Sequence, residues 1–275
     1  MKNVRKLFCV VAVLAVTLTL GSVAHGQSSP FSVETMDKVV GVVVGMGPDY
    51  LGSDDNQGIA APFVRWKFEG EERYIQLLAT ELSFNVLDDP NWEFGPVLNY
   101  RFGRDDDVDD EVVKNMAEID GTVELGIMGA YVWRGNDDPK RHRFITSAEV
   151  LFDVGDEYEG WLGMVDVKYW YPYNKPIDLM IGFGLTYGNS DFMNTYFGVS
   201  SADAATTGLA QFDAGSGLRD IHIPAAIVYH YSMNWHIIGG LKYFALLDDA
   251  SDSPITDDRG ESSQIFAGVG VGYSW

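Results

Sequence analysis

Cysteine is almost absent from this chain of 275 residues. Its single cysteine, Cys9, lies close to the start, so the remainder can hold neither a disulfide framework nor a thiolate metal site. Basic side chains are also few, with 19 Lys and Arg against 40 Asp and Glu and a net charge of -21. This excess of acid argues against nucleic acid as a partner, because its phosphates would be repelled.

Long apolar runs are missing as well. From residue 39 onward, no run approaches the roughly 20 residues that a transmembrane helix needs. Helical periodicity is scarce, and neither a P-loop nor a dinucleotide-binding motif is present. The sequence therefore predicts neither a helical membrane bundle nor a cofactor.

The first 26 residues have the order of a secretory signal. A basic start precedes an apolar stretch over 7–20, and Ala24 and Gly26 place small residues at the cleavage positions. The stretch is too short to span a bilayer, and Cys9 lies at its wrong end for a lipoprotein anchor. We therefore expect a cleaved signal peptide over 1–26 and a single domain over 27–275.

Alternation of apolar with small or polar residues dominates the rest of the chain. In the last segment, Ile265, Val269 and Tyr273 share one face, while Gly268 and Gly272 lie on the other. Many alternating runs reach 11 residues or more, the length that a tilted strand needs to cross a bilayer. About twelve runs occur, near 39–47, 59–68, 72–78, 82–87, 92–102, 119–133, 142–152, 160–171, 177–187, 219–231, 235–247 and 263–275.

These runs predict an all-β fold, a closed antiparallel transmembrane β-barrel of about twelve strands, because lipid cannot satisfy an open sheet edge. One bent strand over 72–87, instead of a hairpin, would leave a barrel of ten strands as the alternative. Long connections mostly alternate with short ones, as expected for extracellular loops and periplasmic turns, and aromatic residues concentrate at the run ends. The predicted location is the cell outer membrane, in contact with lipid and lipopolysaccharide.

The long connections carry most of the acidic excess. We hypothesise that their carboxylates bind divalent cations that bridge to lipopolysaccharide phosphates. In the densest run, Asp105, Asp107 and Asp109 match the opening of an EF-hand loop. Asp110 occupies the glycine position and Met116 the position of the bidentate glutamate, so a solvated acidic loop is favoured over a calcium site.

Charged residues of both signs fall on the inward faces of the predicted strands. They are Arg65, Lys67, Arg101, Glu124, Glu149, Asp166, Lys168 and Lys242. One interpretation is the charged constriction of a small pore. The other is a network of ion pairs that fills the lumen, helped by an inward fold of connection 188–218. The network is favoured because opposite charges satisfy each other when they are buried.

Four histidines follow the predicted signal peptide. His230 and Ser232 resemble the base and nucleophile of a lipid A deacylase, but the sequence places no acidic third residue beside them. An interfacial histidine and a turn serine are therefore favoured. His222 and His236 also lie on inward faces, yet two isolated imidazoles do not define a metal site. The sequence predicts no catalytic residue and no metal site.

Segments along the whole predicted domain resemble, in order, the MipA/OmpV family of outer-membrane proteins. They are GVVVGMGPDYLGSDDNQGIAAPFVRWKF at 41–68, FGPVLNYRFGRDDD at 94–107, AEIDGTVELGIMGAYVW at 117–133, NTYFGVSSADA at 194–204, SGLRDIHI at 216–223, DSPIT at 252–256 and GVGVGYSW at 268–275. The residues that match the family pattern in the loops are Pro48, Asp49, Tyr50, Gly52, Ser53, Gly103, Arg104, Tyr196, Phe197 and Gly198. Tyr273 and Trp275 are similar to the terminal signal that the bacterial barrel assembly machinery reads.

The resemblance implies an outer-membrane scaffold that contacts a murein lytic transglycosylase and a murein synthase. The predicted function is thus a non-catalytic envelope scaffold or interaction protein linked to peptidoglycan. A narrow porin-like channel for small solutes or cations is the alternative, and a barrel-type lipid hydrolase comes third. The periplasmic surface is small for a stable partner, and the turn from Arg134 to Arg141, with Lys140, is its most partner-like segment.

Overall fold

Twelve antiparallel strands form a closed barrel in the computed structural model, which describes residues 33–135 and 142–275. The strands are β1 Lys38–Pro48, β2 Asn56–Lys67, β3 Tyr74–Leu78, β4 Glu81–Asn85, β5 Trp92–Arg101, β6 Thr122–Arg134, β7 Arg143–Asp153, β8 Trp161–Asn174, β9 Ile177–Gly188, β10 Gly217–His230, β11 Trp235–Leu246 and β12 Ser263–Ser274. Each pairs with its sequence neighbours, and β1 pairs with β12 to close the wall. The predicted twelve-stranded barrel is confirmed. The predicted signal peptide over 1–26 lies outside the described residues.

The alternation along each strand decides which side chains enter the lumen. In β6, Val123, Leu125 and Ile127 point outward and are exposed, whereas Thr122 and Glu124 point inward and are buried. An outward aliphatic face is stable in lipid, while inward polar groups must find partners inside the barrel. The core of this molecule is therefore its lumen.

The ambiguous region 72–87 is a hairpin. Strands β3 and β4, each of five residues, are joined by a tight turn at Ala79 and Thr80, and Ala79 has a φ of 54°. The ten-strand alternative is therefore wrong. Because these two strands are short, the wall is lower here than elsewhere around the barrel.

The connections differ at the two ends of the barrel. We call the end with connections 49–55, 102–121, 154–160, 189–216 and 247–262 the loop end, and the end with connections 68–73, 86–91, 135–142, 175–176 and 231–234 the turn end. The hairpin turn 79–80 also points toward the loop end. Long and short connections thus mostly alternate, as predicted. The exceptions are this turn and connection 135–142, which is one residue longer than 49–55 and 154–160.

Short α-helices occupy connections 189–216 and 247–262, for which the sequence analysis predicted no secondary structure. They are α1 Ser190–Phe197, α2 Ser201–Thr207, α3 Asp248–Asp252 and α4 Pro254–Asp257. Asn189 caps α1, and Ser200 forms a capping box with Asp203 at the start of α2, which ends at Gly208 with a φ of 79°. No helix within the described ranges is long and apolar enough to cross a membrane.

Aromatic side chains encircle the turn end, as predicted for a membrane interface. Ring centroids lie 4.9 Å apart for Trp92 and Tyr131 and 5.1 Å apart for Trp235 and Tyr273. Trp275 packs edge-on against Trp66, with the two ring centroids 5.6 Å apart. These rings form an aromatic belt at the turn end. The two residues of the predicted assembly signal, Tyr273 and Trp275, therefore belong to this belt.

Candidate functional site

The loop end of the lumen is filled by α1. Its side chains Phe192, Met193, Tyr196 and Phe197 are all buried. The ring of Phe192 packs edge-on against that of Tyr158 at a centroid distance of 5.2 Å. Connection 189–216 therefore folds inward, as the interpretation of a filled lumen expected, and it does so as a helix.

A buried ion pair lies directly below this helix. Arg101 Nε donates to Glu124 Oε1 over 2.6 Å, and both side chains are almost fully buried. Glu124 also accepts hydrogen bonds from Asn99 Nδ2 (2.7 Å) and from the Tyr158 hydroxyl (2.6 Å). The Arg101 guanidinium lies 5.1 Å from the centroid of the Phe192 ring. The pair thus joins the barrel wall, connection 154–160 and α1.

A second group of charges extends from β10 towards β8. Arg219 Nη2 donates to Asp220 Oδ2 over 2.6 Å, and His222 bonds Asp220 through Nδ1 (2.8 Å) and Asp166 through Nε2 (2.9 Å). Arg219 and Asp220 are neighbours in sequence, yet both are buried. The β9–β10 register shifts between Leu218 and Asp220, and such a bulge turns two successive side chains to the same side. Strict alternation therefore could not predict this pair.

The segment before β1 fills the turn end of the lumen. Val33 and Met36 are buried in a cluster of apolar side chains that also contains Trp170. The carboxylate of Glu34 accepts hydrogen bonds from Trp170 Nε1 (2.7 Å) and Lys168 Nζ (3.4 Å), and its carbonyl accepts one from Arg143. Sequence reasoning missed Glu34, because nothing in the pattern of an N-terminal arm shows that it folds into the barrel.

Of the eight charged residues predicted on inward faces, Lys67 pairs with Glu72 at the turn end. The other seven lie on inward faces, but the structure divides them into separate groups. Arg101 pairs with Glu124, Asp166 with His222 and Lys168 with Glu34. The three other members are Arg65, Lys242 and Glu149. Arg65 donates to Gln76 Oε1 (2.5 Å) and lies 3.6 Å from the Tyr74 ring centroid. Lys242 is buried, and Glu149 has one buried oxygen without a hydrogen-bond partner within the described residues.

The histidine and serine singled out from the sequence do not bond each other. His230 Nδ1 lies 2.8 Å from His236 Nδ1, and its Nε2 lies 2.8 Å from Asp178 Oδ2. His236 Nε2 lies 2.7 Å from the hydroxyl of Ser274. If Asp178 is ionised it can only accept, so the consistent assignment runs from Ser274 through both imidazoles to Asp178. Ser232 Oγ instead accepts the backbone N–H of Trp235 in its turn.

Within the described residues, no group of three or more His, Cys, Asp or Glu could hold a metal ion. The chain from Ser274 to Asp178 lies at the turn end of the lumen, between β12, β11, β10 and β9. It ties four neighbouring strands together through side chains.

Most of the residues that match the family pattern meet at the loop end. Tyr50 packs in a small core with Val108, Val113, Met116, Val199 and Ile255. Asp49 accepts the backbone N–H of Asp109 (2.8 Å), and Gly52 adopts a φ of 99° that favours glycine. A Cβ at Gly103 would lie 1.7 Å from the carbonyl oxygen of Ile119. The remaining matches, Pro48, Ser53 and Arg104, lie beside these contacts, while Tyr196, Phe197 and Gly198 belong to α1 and its end.

The acidic run at 105–111 is only partly solvated. Asp105 to Asp107 are exposed, but Val108 and Asp110 are buried. Asp110 accepts from Arg259 Nη2 over 2.6 Å and from the backbone N–H of Val113 over 2.8 Å. Burial opposes ionisation of Asp110, but these hydrogen bonds outweigh it and lower its pKa. The preference for a wholly solvated loop was therefore wrong for Val108 and Asp110, which tie connection 102–121 to connection 247–262.

Comparison with known proteins gives a consistent set of relatives. A family model described as MltA-interacting protein MipA matches residues 40–275. The protein YiaT of Escherichia coli strain K12 is 25% identical over 226 residues, which cover 80% of this chain and 84% of that protein. The outer membrane protein OmpV of Vibrio cholerae serotype O1 is 26% identical over 242 residues, 88% of this chain and 80% of that protein.

Among solved structures, an outer membrane channel from Pseudomonas putida F1 aligns with a TM-score of 0.50 at 11% identity. The alignment covers 92% of this chain and 100% of that one. At this identity the likeness concerns the fold alone.

Proposed function

Because this chain belongs to the MipA family of outer-membrane proteins, we propose that it is a non-catalytic envelope scaffold that holds a murein enzyme at the periplasmic face. The match to the family model confirms the family resemblance seen in the sequence, and the chain is an outer-membrane β-barrel. In such barrels the long loops face outward and the short turns face the periplasm. We therefore assign the loop end to the cell surface and the turn end to the periplasm.

The observation that carries the proposal is that both ends of the lumen are occupied. At the loop end, Phe192 and Phe197 of α1 are completely buried, and at the turn end Val33 is too. The segment that fills the turn end is also hydrogen-bonded to the barrel wall, since Glu34 accepts from Trp170. A barrel filled in this way offers its outer surfaces to partners more readily than its interior to solutes.

The turn end has apolar side chains that a partner could cover. Met233 is 94% exposed and Tyr231 is 71% exposed, both in the connection between β10 and β11. Nearby, Tyr173 at the end of β8 is 60% exposed. Charged residues on this face already pair with one another, as Lys67 does with Glu72 over 2.7 Å. Aromatic side chains and Met are enriched at protein interfaces, so this patch is the proposed contact for the murein enzyme.

Binding of a purified murein lytic transglycosylase to vesicles that contain the refolded barrel tests the proposal. We expect saturable binding that Met233→Asp weakens at least tenfold, because a carboxylate would replace an apolar contact at the patch. Ala202→Asp, an acidic substitution at an exposed position of α2 on the opposite end, is the matched control and should leave binding unchanged. Equal binding to empty vesicles, or equal loss in both variants, would contradict the scaffold role at this face.

A narrow channel remains the second candidate. It is supported by Lys168, whose side chain is 26% exposed although it faces the lumen. Water therefore reaches some of the interior between the two filled ends. Conductance of the folded barrel separates this candidate from the scaffold.

A further inference from the structure

A cleft opens at the loop end, between connections 102–121, 154–160 and 189–216. It has an outer chamber with a volume of about 490 Å³ and an inner chamber with a volume of about 240 Å³. Both chambers are lined by Glu157, Asn194, Thr195 and Asp213, so they form a continuous space. The cleft faces the cell exterior and lies apart from the turn-end patch.

Arg104 lines the inner chamber of the cleft and is only 6% exposed. Within the described ranges, its guanidinium makes no hydrogen bond and no salt bridge, whereas Arg101, Arg219 and Arg259 all pair with carboxylates. Burial lowers the pKa of Arg104, because removal from water disfavours the charged form. Buried charges in proteins are normally paired, because an uncompensated one is costly.

Asp203 does not compensate the charge of Arg104 by direct contact. Asp203 interacts with Arg104 through space, but its oxygens accept hydrogen bonds from the Ser200 hydroxyl (2.6 Å) and from the backbone N–H of Ala117 (2.7 Å). These bonds hold the capping box of α2 and its contact with connection 102–121. The guanidinium is thus left available to a group that enters the cleft.

Carboxylates surround the approach to Arg104. Glu118, Glu157 and Asp213 line the inner chamber, and Glu159 and Asp191 line the outer chamber. A simple anion would be repelled by these groups before it reached Arg104. A simple cation would be attracted to them and would then meet the buried guanidinium. A molecule with both charges satisfies both the carboxylates and the guanidinium.

We propose that this cleft binds a small zwitterion, which places a carboxylate or phosphate on Arg104 and a primary ammonium among Glu118, Glu157 and Asp213. The inner volume of about 240 Å³ corresponds to roughly eight times the ~30 Å³ that a water molecule occupies in the liquid. It is smaller than the roughly 300–1,000 Å³ of sites for drug-sized ligands. A ligand of amino-acid size therefore fits, whether it comes as a free amino acid or as a lipid headgroup.

Calorimetric titration of the refolded barrel in detergent micelles tests the site. The zwitterionic probes are glycine, 4-aminobutyrate and glycerophosphoethanolamine, and the single-charge controls are acetate and ethylamine. We expect at least one zwitterion to bind more than tenfold more tightly than both controls. A tightest binder among the amino acids identifies a free solute as the source, and glycerophosphoethanolamine identifies a headgroup. Binding of acetate as tight as that of every zwitterion, or no measurable binding of any probe, would overturn the proposal.

Two variants link the binding to the named residues. Arg104→Gln should weaken the zwitterion at least tenfold, because the anionic group loses its charged donor. Glu118→Gln, at an exposed position of the inner chamber, should weaken binding of the zwitterion but not of acetate, because it removes a carboxylate that attracts the ammonium and repels an anion. Arg73→Gln, which removes an exposed arginine at the turn end, is the matched control and should change nothing. Unchanged binding in both Arg104→Gln and Glu118→Gln would show that the cleft is not the site.

The stability of Arg104→Gln gives an independent result. If Arg104 is retained to bind a ligand, removing its uncompensated charge should leave the thermal unfolding temperature unchanged or raise it. The shift from folded to unfolded mobility on a heated gel measures this. A lower unfolding temperature would instead assign Arg104 a structural role and contradict the proposal.

Discussion

Glu124 is the residue on which the lumen contacts converge. Its carboxylate accepts hydrogen bonds from Arg101, Asn99 and Tyr158, and its side chain has no exposed surface. Tyr158 belongs to connection 154–160, so this one carboxylate joins a loop to the wall of the barrel. The contacts satisfy a charge that would otherwise be too costly to bury.

The substitution Glu124→Gln should lower the free energy of unfolding by about 3–5 kcal/mol, because it removes the negative charge that pairs with the buried cation of Arg101. Urea-induced unfolding from phospholipid vesicles measures the change. Asp106→Asn removes an exposed carboxylate from the acidic run and serves as control. A loss no larger than that of the control would show that Arg101 and Glu124 do not depend on each other.

Asp110 should make the loop end sensitive to acid. Its pKa in the folded state lies below the ordinary value, so its stabilising contribution is present above the unfolded pKa of about 3.9 and is lost as pH falls through the lower folded pKa. Hydrogen exchange at the amide of Val113, which donates to Asp110, reports this contact. At pH 7 we expect faster exchange in Asp110→Asn than in the wild type. Below the folded pKa the two should converge, and a difference that persists there would contradict the assignment.

At the scale of elements, the strands were predictable and the helices were not. Alternation such as that of Val123, Glu124 and Leu125 is a local property that survives in the fold because one face meets lipid and the other the lumen. Helix α1 has eight residues, too few to be stable alone, and depends on contacts with the lumen. The cap of α1 at Asn189 and the capping box of Ser200 and Asp203 at the start of α2 are local features, and the sequence analysis did not identify them.

In the candidate site too, residues that follow the local alternation were predictable and residues that depend on packing were not. Period-two alternation placed Arg101 and Glu124 on inward faces correctly. It missed Arg219 beside Asp220, because a bulge changes the register there. It missed Glu34, because the partners of its side chain are far away in sequence. Such positions depend on three-dimensional packing, for which one sequence carries no periodic signal.

Helix α1 should contribute most of its stabilisation through Phe192. Its ring lies between two guanidinium groups, 5.1 Å from that of Arg101 and 5.7 Å from that of Arg219. We expect Phe192→Ala to lower the free energy of unfolding by about 3–5 kcal/mol, the usual range for a core phenylalanine. Phe183→Ala, on the lipid-facing side of β9, is the control and should cost less. Equal losses would mean that α1 does not pack as a plug.

At the scale of the whole molecule, the two ends of the barrel differ in structure. The loop end combines α1, the small core around Tyr50 and the cleft of Arg104. The turn end combines the aromatic belt, the inserted segment around Glu34 and the exposed patch of Met233. Between them the lumen holds charge pairs and two clusters of buried apolar side chains, one around Phe192 and the other around Val33. This division is consistent with a barrel that binds partners on its outer surfaces.

Single-channel conductance of the refolded barrel in a planar bilayer tests the central claim that the lumen is closed. Heat-modifiable gel mobility confirms beforehand that the barrel has formed. We predict no discrete current steps from the wild type, and clear steps from a variant in which Ser190–Phe197 is deleted, because α1 then no longer fills the loop end. Discrete steps from the folded wild type, altered by Lys168→Gln, would contradict the closed scaffold and establish a channel.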